Sequence, residues 1–97
     1  MKVLITAATS ARAYQLKAGL DDADVILGDY NEVPAFMKML TLPNPASDTY
    51  THEMLTLCLD NKVETVYLLS RAEADVLLKS SQLFYEYNID LIDATNL

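Results

Sequence analysis

Few side chains in this sequence are of a type that does chemistry, and their spacing narrows them further. His52 is the only histidine, and the carboxylate nearest to it in the chain, Glu53, follows directly. Adjacent residues on a helix point apart, so the two make neither an acid–base pair nor a metal pair, and His52 reads as a surface residue. Cys58 is the only cysteine and stands among leucines, which marks it as a packing residue rather than a nucleophile. The sequence contains no HExxH, no P-loop, no GxSxG and no paired-cysteine motif. What remains is a short loop near the N-terminus and an acid some twenty residues beyond it.

The loop is Thr6 to Arg12 (TAATSAR). It follows an apolar run and precedes a helix, where a dinucleotide-binding fold carries G-x-G-x-x-G. Alanine and threonine occupy the glycine positions here. Glycine matters at such a site because its missing Cβ lets the backbone approach a pyrophosphate and adopt positive φ. A tight dinucleotide site is therefore not expected. The loop reads first as a plain helix cap. A helix beginning here would still aim its amides at the loop, where Thr9, Ser10 and Arg12 can help hold a carboxylate or a phosphate. Asp29 ends the next apolar run, in the place where a nicotinamide enzyme puts the acid that bonds ribose hydroxyls. Without the glycines it reads as a solvated turn residue.

The elements that must position these residues follow from periodicity. Lys2 to Thr6 (KVLIT) is a short apolar, partly β-branched run and predicts a buried strand. Ala13, Leu16 and Leu20 recur at helical spacing, with Thr9 or Ser10 to cap the start and Gly19 near the end. The acidic cluster Asp21, Asp22 and Asp24 leads to a second strand, Val25 to Leu27, ending in Gly28 and Asp29. This is a βαβ unit, whose crossover is right-handed in nearly all known cases. Pro34, Pro43 and Pro45 then bracket a turn or short helix and an edge strand within Lys38 to Leu42 (KMLTL). A helix is predicted from Ser47 or Asp48 through Asp60, with Tyr50, Met54, Leu57 and Cys58 on one face and Leu55 and Leu59 widening it. Thr65 to Leu69 (TVYLL) is a further strand. Ser70 with Glu73 forms a capping box opening a helix to about Tyr87, with an inner stripe of Val76, Ser80, Leu83 and Tyr87. Ile89 to Ile92 supplies a last strand, and nothing in Asp93 to Leu97 needs to fold.

Continuous apolar strands alternating with helices predict one α/β domain over residues 1–97, a three-layer sandwich around a parallel, Rossmann-like sheet of about five strands in the order 3-2-1-4-5. In such sheets ligands bind beyond the carboxyl ends of the strands, where the strand order reverses. That crevice lies between the loops after Thr6 and after Leu69. Its candidate ligand-binding residues are Thr9, Ser10, Arg12, Asp29 and Ser70. No catalytic residue, metal ligand or cofactor is assigned.

Composition bounds the partners. Ninety-seven residues with 52% apolar and 22% charged side chains are globular in character and enough for one core. Seven basic residues against fourteen acidic ones give a net charge of -7, which repels phosphate backbones and anionic lipid surfaces. Nucleic acid and membranes are excluded as partners on this reading. Uncharged stretches fall far short of the roughly twenty apolar residues of a membrane helix, no export signal is evident, and a lone cysteine suits a reducing compartment. A cytoplasmic location is expected. The apolar segment Phe36 to Leu42, with Met37 and Met39, is either edge-strand packing or a docking patch through which the chain forms a homodimer.

Taken in order, the segments KVLITAATSARAYQLKAGL (Lys2 to Leu20), VILGDY (Val25 to Tyr30), LPNPASDTY (Leu42 to Tyr50), LCLDNKVETVYLL (Leu57 to Leu69) and SRAEADVLLKSSQLFYEYNIDLI (Ser70 to Ile92) resemble a known family. It is the N-terminal domain that precedes the catalytic module in ATP-grasp carboxylate-amine ligases, the pre-ATP-grasp domain. The resemblance implies a Rossmann-like domain that flanks the active-site cleft and helps position the acceptor substrate, while other domains bind ATP and magnesium. It implies an ATP-grasp catalytic domain, in cis or in trans, as partner. The family's glycine-rich first loop is altered here to Ala7, Ala8 and Thr9. Two other readings stay open: a stand-alone interaction or oligomerisation module without catalytic activity, and a degenerate dinucleotide-binding domain, which fits KVLITAATS and Asp29.

Overall fold

The computed structural model describes residues 2–20, 24–31 and 39–95. The first strand, β1 (Lys2–Ile5), lies at the centre of a five-stranded sheet because its apolar side chains are covered on both faces. It is followed by α1 (Ala11–Ala18), β2 (Asp24–Asp29), β3 (Leu40–Thr41), α2 (Tyr50–Asp60), β4 (Thr65–Leu68), α3 (Arg71–Leu77), a 3-10 turn (Leu78–Ser80), α4 (Ser81–Glu86) and β5 (Asp90–Asp93). All strand pairs are parallel, in the order β3-β2-β1-β4-β5. The α/β class, the five strands and the order 3-2-1-4-5 thus match the expectation from sequence.

The two faces are filled unequally. Leu4, Val66 and Leu68 turn to one side, where Tyr50, Met54 and Cys58 of α2, Ala74 and Leu77 of α3, and Phe84 of α4 complete the larger core. Val3 and Ile5 turn to the other, against Ala13 and Leu16 of α1. Strands of period two, buried on both sides, require this division.

Both long crossovers return to the sheet through the same device. Lys62 and Asn88 take left-handed backbone conformations (φ 57° and 64°) two residues past the ends of α2 and α4. The Lys62 and Val63 amides bond back to the Leu59 and Cys58 carbonyls at 3.2 and 2.8 Å, and the Asn88 and Ile89 amides bond to those of Tyr85 and Phe84 at 2.9 and 3.0 Å. These are paired Schellman closures, and each buries the apolar residue that follows, Val63 or Ile89.

Several boundaries differ from the sequence reading. The helix expected from Ser47 or Asp48 starts at Tyr50, because Asn44 and Ser47 hold the preceding residues in turns: the Ser47 amide donates to the Asn44 carbonyl and the Ala46 amide to Asn44 Oδ1, both at 2.9 Å. The helix expected from Ser70 to Tyr87 is broken at Leu78–Ser80, where two consecutive serines are poor interior helix formers. Its fully buried residues are Glu73, Ala74, Leu77 and Phe84; of the expected stripe, Val76 and Leu83 are half-buried and pack against the same core, whereas Tyr87 is 49% exposed. The edge strand is only Leu40–Thr41, and Phe36, Met37 and Lys38 lie outside the described residues. The segment after β5 is also ordered: Ala94 is fully buried and its amide donates to the Leu68 carbonyl at 2.9 Å.

Gly28 pairs with Leu40 at the β2–β3 junction, and a Cβ there would meet Leu42 Cδ2 at 2.8 Å and the Leu40 carbonyl at 3.2 Å. Since Leu42 is itself core, Gly28→Ala is expected to lower stability in urea by about 1–3 kcal/mol. An unchanged unfolding midpoint would show that the β2–β3 edge yields freely.

Candidate functional site

The crevice at the strand-order reversal is built from four segments: the loop after β1, the end of β2, the start of α3 and the chain leaving β5. Thr6 directly follows β1 and is fully buried, its amide bonded to the Tyr67 carbonyl at 3.1 Å. Its hydroxyl donates to that same carbonyl at 3.4 Å and accepts from the Leu69 amide at 3.1 Å, tying the β1 and β4 loops together. Ala7 then adopts φ 50°, the left-handed region that costs an L-residue about 1–2 kcal/mol. The turn that glycine would make easily is made here by alanine.

What holds that turn is Asp29. Its side chain is 1% exposed, and both carboxylate oxygens are engaged. Oδ2 accepts from the Thr9 amide at 3.2 Å and the Thr9 hydroxyl at 2.8 Å. Oδ1 accepts from the Asn31 amide at 2.9 Å and from Asn31 Nδ2 at 3.1 Å. Burial pushes this carboxyl upward, but the four donors outweigh it and hold the group below the ordinary aspartate value. Asp29 is therefore not the solvated turn residue expected from sequence. It is a buried bridge from the end of β2 to the loop after β1.

The other candidate residues separate. The Ser10 hydroxyl donates to the Ala7 carbonyl at 2.9 Å and so fixes the turn instead of capping α1, whose N-cap makes no side-chain bond. Arg12 reaches away from the loop to the chain after β5, donating from Nη2 to the Ala94 and Thr95 carbonyls at 3.3 and 2.8 Å. Arg71 converges on the same point through a 2.5 Å bond to Thr95 Oγ1 and a 3.7 Å ion pair with Asp93. The segment expected to need no folding is thus clasped by two guanidinium groups. Ser70 flanks the crevice at the N-cap of α3, without a side-chain capping bond. The structure brings Thr9 and Asp29 together, and sends Arg12 elsewhere.

The residue that sequence reasoning misplaced is Glu73. The S-x-x-E spacing suggested a capping box, but Glu73 is fully buried beneath the crevice and Tyr50 donates to its Oε2 at 3.1 Å. Among the described residues its Oε1 has no hydrogen-bond partner. Burial pushes the carboxyl up to about 7, the nearby Asp29 charge acts in the same direction, and the Tyr50 and Thr6 hydroxyls pull against both. Cys58, as expected, is a buried packing thiol, which burial pushes up to about 12, and His52 is an exposed residue.

Two surface hollows lie away from Asp29 and Glu73. A groove of about 480 Å³ follows the outer face of α2 past His52, Glu53 and Asp60, and a second of about 360 Å³ lies between α4 and β5 beside Tyr85 and Asp90. Neither reaches the crevice. Among the described residues no group of three or more His, Cys, Asp or Glu side chains is placed to hold a metal, and no helix is long and apolar enough to cross a membrane. No family model matches the chain, and no curated protein matches it in sequence.

Replacing Asp29 by Asn puts an amide donor where four donors already converge. Asp29→Asn is expected to cost about 1–3 kcal/mol at neutral pH. Because the folded carboxyl lies below its unfolded value, the wild-type contribution is present above the ordinary aspartate value of about 3.9 and is lost as pH falls through the folded value. The variant's stability should accordingly be less acid-dependent. Parallel pH–stability curves for the two proteins below pH 5 would contradict the bridge.

Proposed function

We propose that this chain is a non-catalytic, Rossmann-like accessory domain of the pre-ATP-grasp kind, which flanks the cleft of an ATP-grasp ligase and helps position its acceptor substrate. The observation that supports this reading is the spent condition of the ligand-binding end of the sheet. In a dinucleotide enzyme the acid after the second strand is free for ribose hydroxyls and the first loop is open to pyrophosphate. Here Asp29 is saturated by Thr9 and Asn31, and the alanines of the loop keep their Cβ atoms where a pyrophosphate would approach. The same geometry weighs against a degenerate dinucleotide-binding domain. A domain with this sheet, whose Asp29 and first loop are engaged with each other, suits a supporting role beside a separate catalytic module. That partner would be joined in cis or encoded apart, in the cytoplasm. No nucleic acid or lipid surface is expected to bind at a net charge of -7.

A second reading, a stand-alone module that associates with its own copy, is favoured by Tyr85, Tyr87 and Ile92, which are 67%, 49% and 37% exposed around β5, an edge strand. Sedimentation equilibrium separates the two: a dimer strengthened by salt supports self-association, and a monomer at low and high salt removes it.

The test of the first reading is addition of the purified chain to an ATP-grasp catalytic module from the same source. ADP release with carboxylate and amine acceptors is expected to rise in its presence, and no effect together with no binding would contradict the proposal. The chain alone is expected to release no ADP above a heat-treated control. It is also expected to show no saturable NAD or NADP binding tighter than about 100 μM, roughly 5.5 kcal/mol.

A further inference from the structure

The side chain with no role in that reading is the one buried deepest beneath the crevice. Glu73 opens α3, directly behind β4, and is completely enclosed. It meets Tyr50, the first residue of α2, which is itself 1% exposed. We propose that Glu73 and Tyr50 form a proton-operated latch: while the Glu73 carboxyl keeps its proton it stays enclosed between α2 and α3, and loss of the proton favours opening of the first turn of α2, with the segment 43–49 before it, because water then supplies the donors that the enclosed carboxylate lacks.

The argument is one of counting donors. An ionised carboxylate buried away from water needs several hydrogen-bond donors, as the four at Asp29 illustrate. Glu73 receives one, the Tyr50 hydroxyl, and its Oε1 has none among the described residues. The other hydroxyl beside it, that of Thr6, also favours the anion, but its single hydrogen is shared with the Tyr67 carbonyl at 3.4 Å. Thr6 Oγ1 accepts one bond, from Leu69, which leaves a lone pair for a carboxylic acid proton, whereas its one hydrogen cannot serve the carbonyl and a carboxylate fully at once. The surroundings thus suit the neutral form.

The groups that face the pair from each packed element agree. From β2 the Asp29 charge disfavours a second anion; from α2 come Tyr50 and, behind it, the Cys58 thiol. Among the described residues no cation is among the groups acting on Glu73. Burial and the Glu73 charge both push the Tyr50 phenol upward, so it remains the donor and the carboxyl alone titrates.

What the latch holds is a segment with few other anchors. Residues 44–49 are mostly exposed and bonded chiefly to one another and to Glu53 through Ser47 Oγ. They lead directly into Tyr50, whose phenol ties the start of α2 to α3. The folded Glu73 value of about 7 lies above its unfolded value of 4.5. The stabilisation is therefore fully present below pH 4.5 and is lost as pH rises through 7, with the opening constant growing by up to about tenfold per pH unit in that window.

The experiment is a carboxyl carbon NMR titration of the whole chain, paired with amide exchange of residues 44 to 54 at pH 5.5 and 8, corrected for intrinsic exchange. Glu73 is expected to titrate near neutrality, and protection at the start of α2 to fall by at least about tenfold between the two pH values. In Glu73→Gln, which keeps an acceptor for Tyr50 but no ionisable proton, the protection is expected to be the same at both. If Glu73 titrates at the ordinary glutamate value of about 4.3, or if the Gln variant loses protection as the wild type does, the latch is overturned. Tyr50→Phe gives an independent reading should the Gln variant not fold. Removing this donor, which favours the anion, is expected to move the Glu73 midpoint upward, and an unmoved or lowered midpoint would count against the proposal equally.

Discussion

Four donors on one buried carboxylate decide the shape of the functional end of this molecule. A parallel sheet delivers the ends of all its strands to one edge, where the loops must be held by something other than the ladder. In a glycine-rich fold the turn after the first strand holds itself, because glycine accepts positive φ at no steric cost. Ala7 adopts that conformation at a cost, and the compensation comes from Asp29, which binds the Thr9 amide and hydroxyl across the β1–β2 boundary. The Ser10 hydroxyl adds its bond to the Ala7 carbonyl, and the Ala8 amide bonds the Gly28 carbonyl at 3.0 Å. Once these contacts are made, little polar capacity is left to recognise a ligand.

Two buried acids near one another then meet opposite fates, and donor supply is the reason. Asp29 receives four hydrogen bonds and is held as an anion in spite of burial. Glu73, on the side of the larger core, receives one from Tyr50 and is driven toward its neutral form, an outcome that the Asp29 charge reinforces. Burial alone predicts the same direction for both, so the difference lies in the backbone: Asp29 ends a strand beside loop amides, whereas Glu73 points from a helix into side-chain packing. The anchored carboxylate rigidifies the first loop, and the unanchored one leaves the α2–α3 junction responsive to protons.

Much of the frame could be read from the residues. The runs KVLI, DVILGD and TVYL are apolar enough to be strands buried on two faces, and with two helices between them they lead to a parallel sheet in one order. The pairing of Thr9 with Asp29 could not be read, because it joins positions twenty residues apart through a turn whose shape depends on the pairing itself. Glu73 was misread because S-x-x-E is a local signal, and the phenol that captures the acid lies twenty-three residues away on another helix. The order at Ala94 and Thr95 escaped notice for the same reason: Arg12, more than eighty residues away in sequence, supplies the clasp. At the candidate site the local patterns reported local structure, and these three misses were long-range polar contacts.

The central claim is that Asp29 acts through Thr9 to close the first loop, and a double-mutant cycle on stability measures it directly. Thr9→Ala removes the hydroxyl from an exposed position, Asp29→Asn removes the charge, and the double variant removes both. The account requires a coupling energy of about 1–2 kcal/mol, as for a charge-assisted hydrogen bond, so that the double variant is less destabilised than the sum of the two. Effects that add to within about 0.5 kcal/mol would mean that the two residues act independently and that the loop is held by something else.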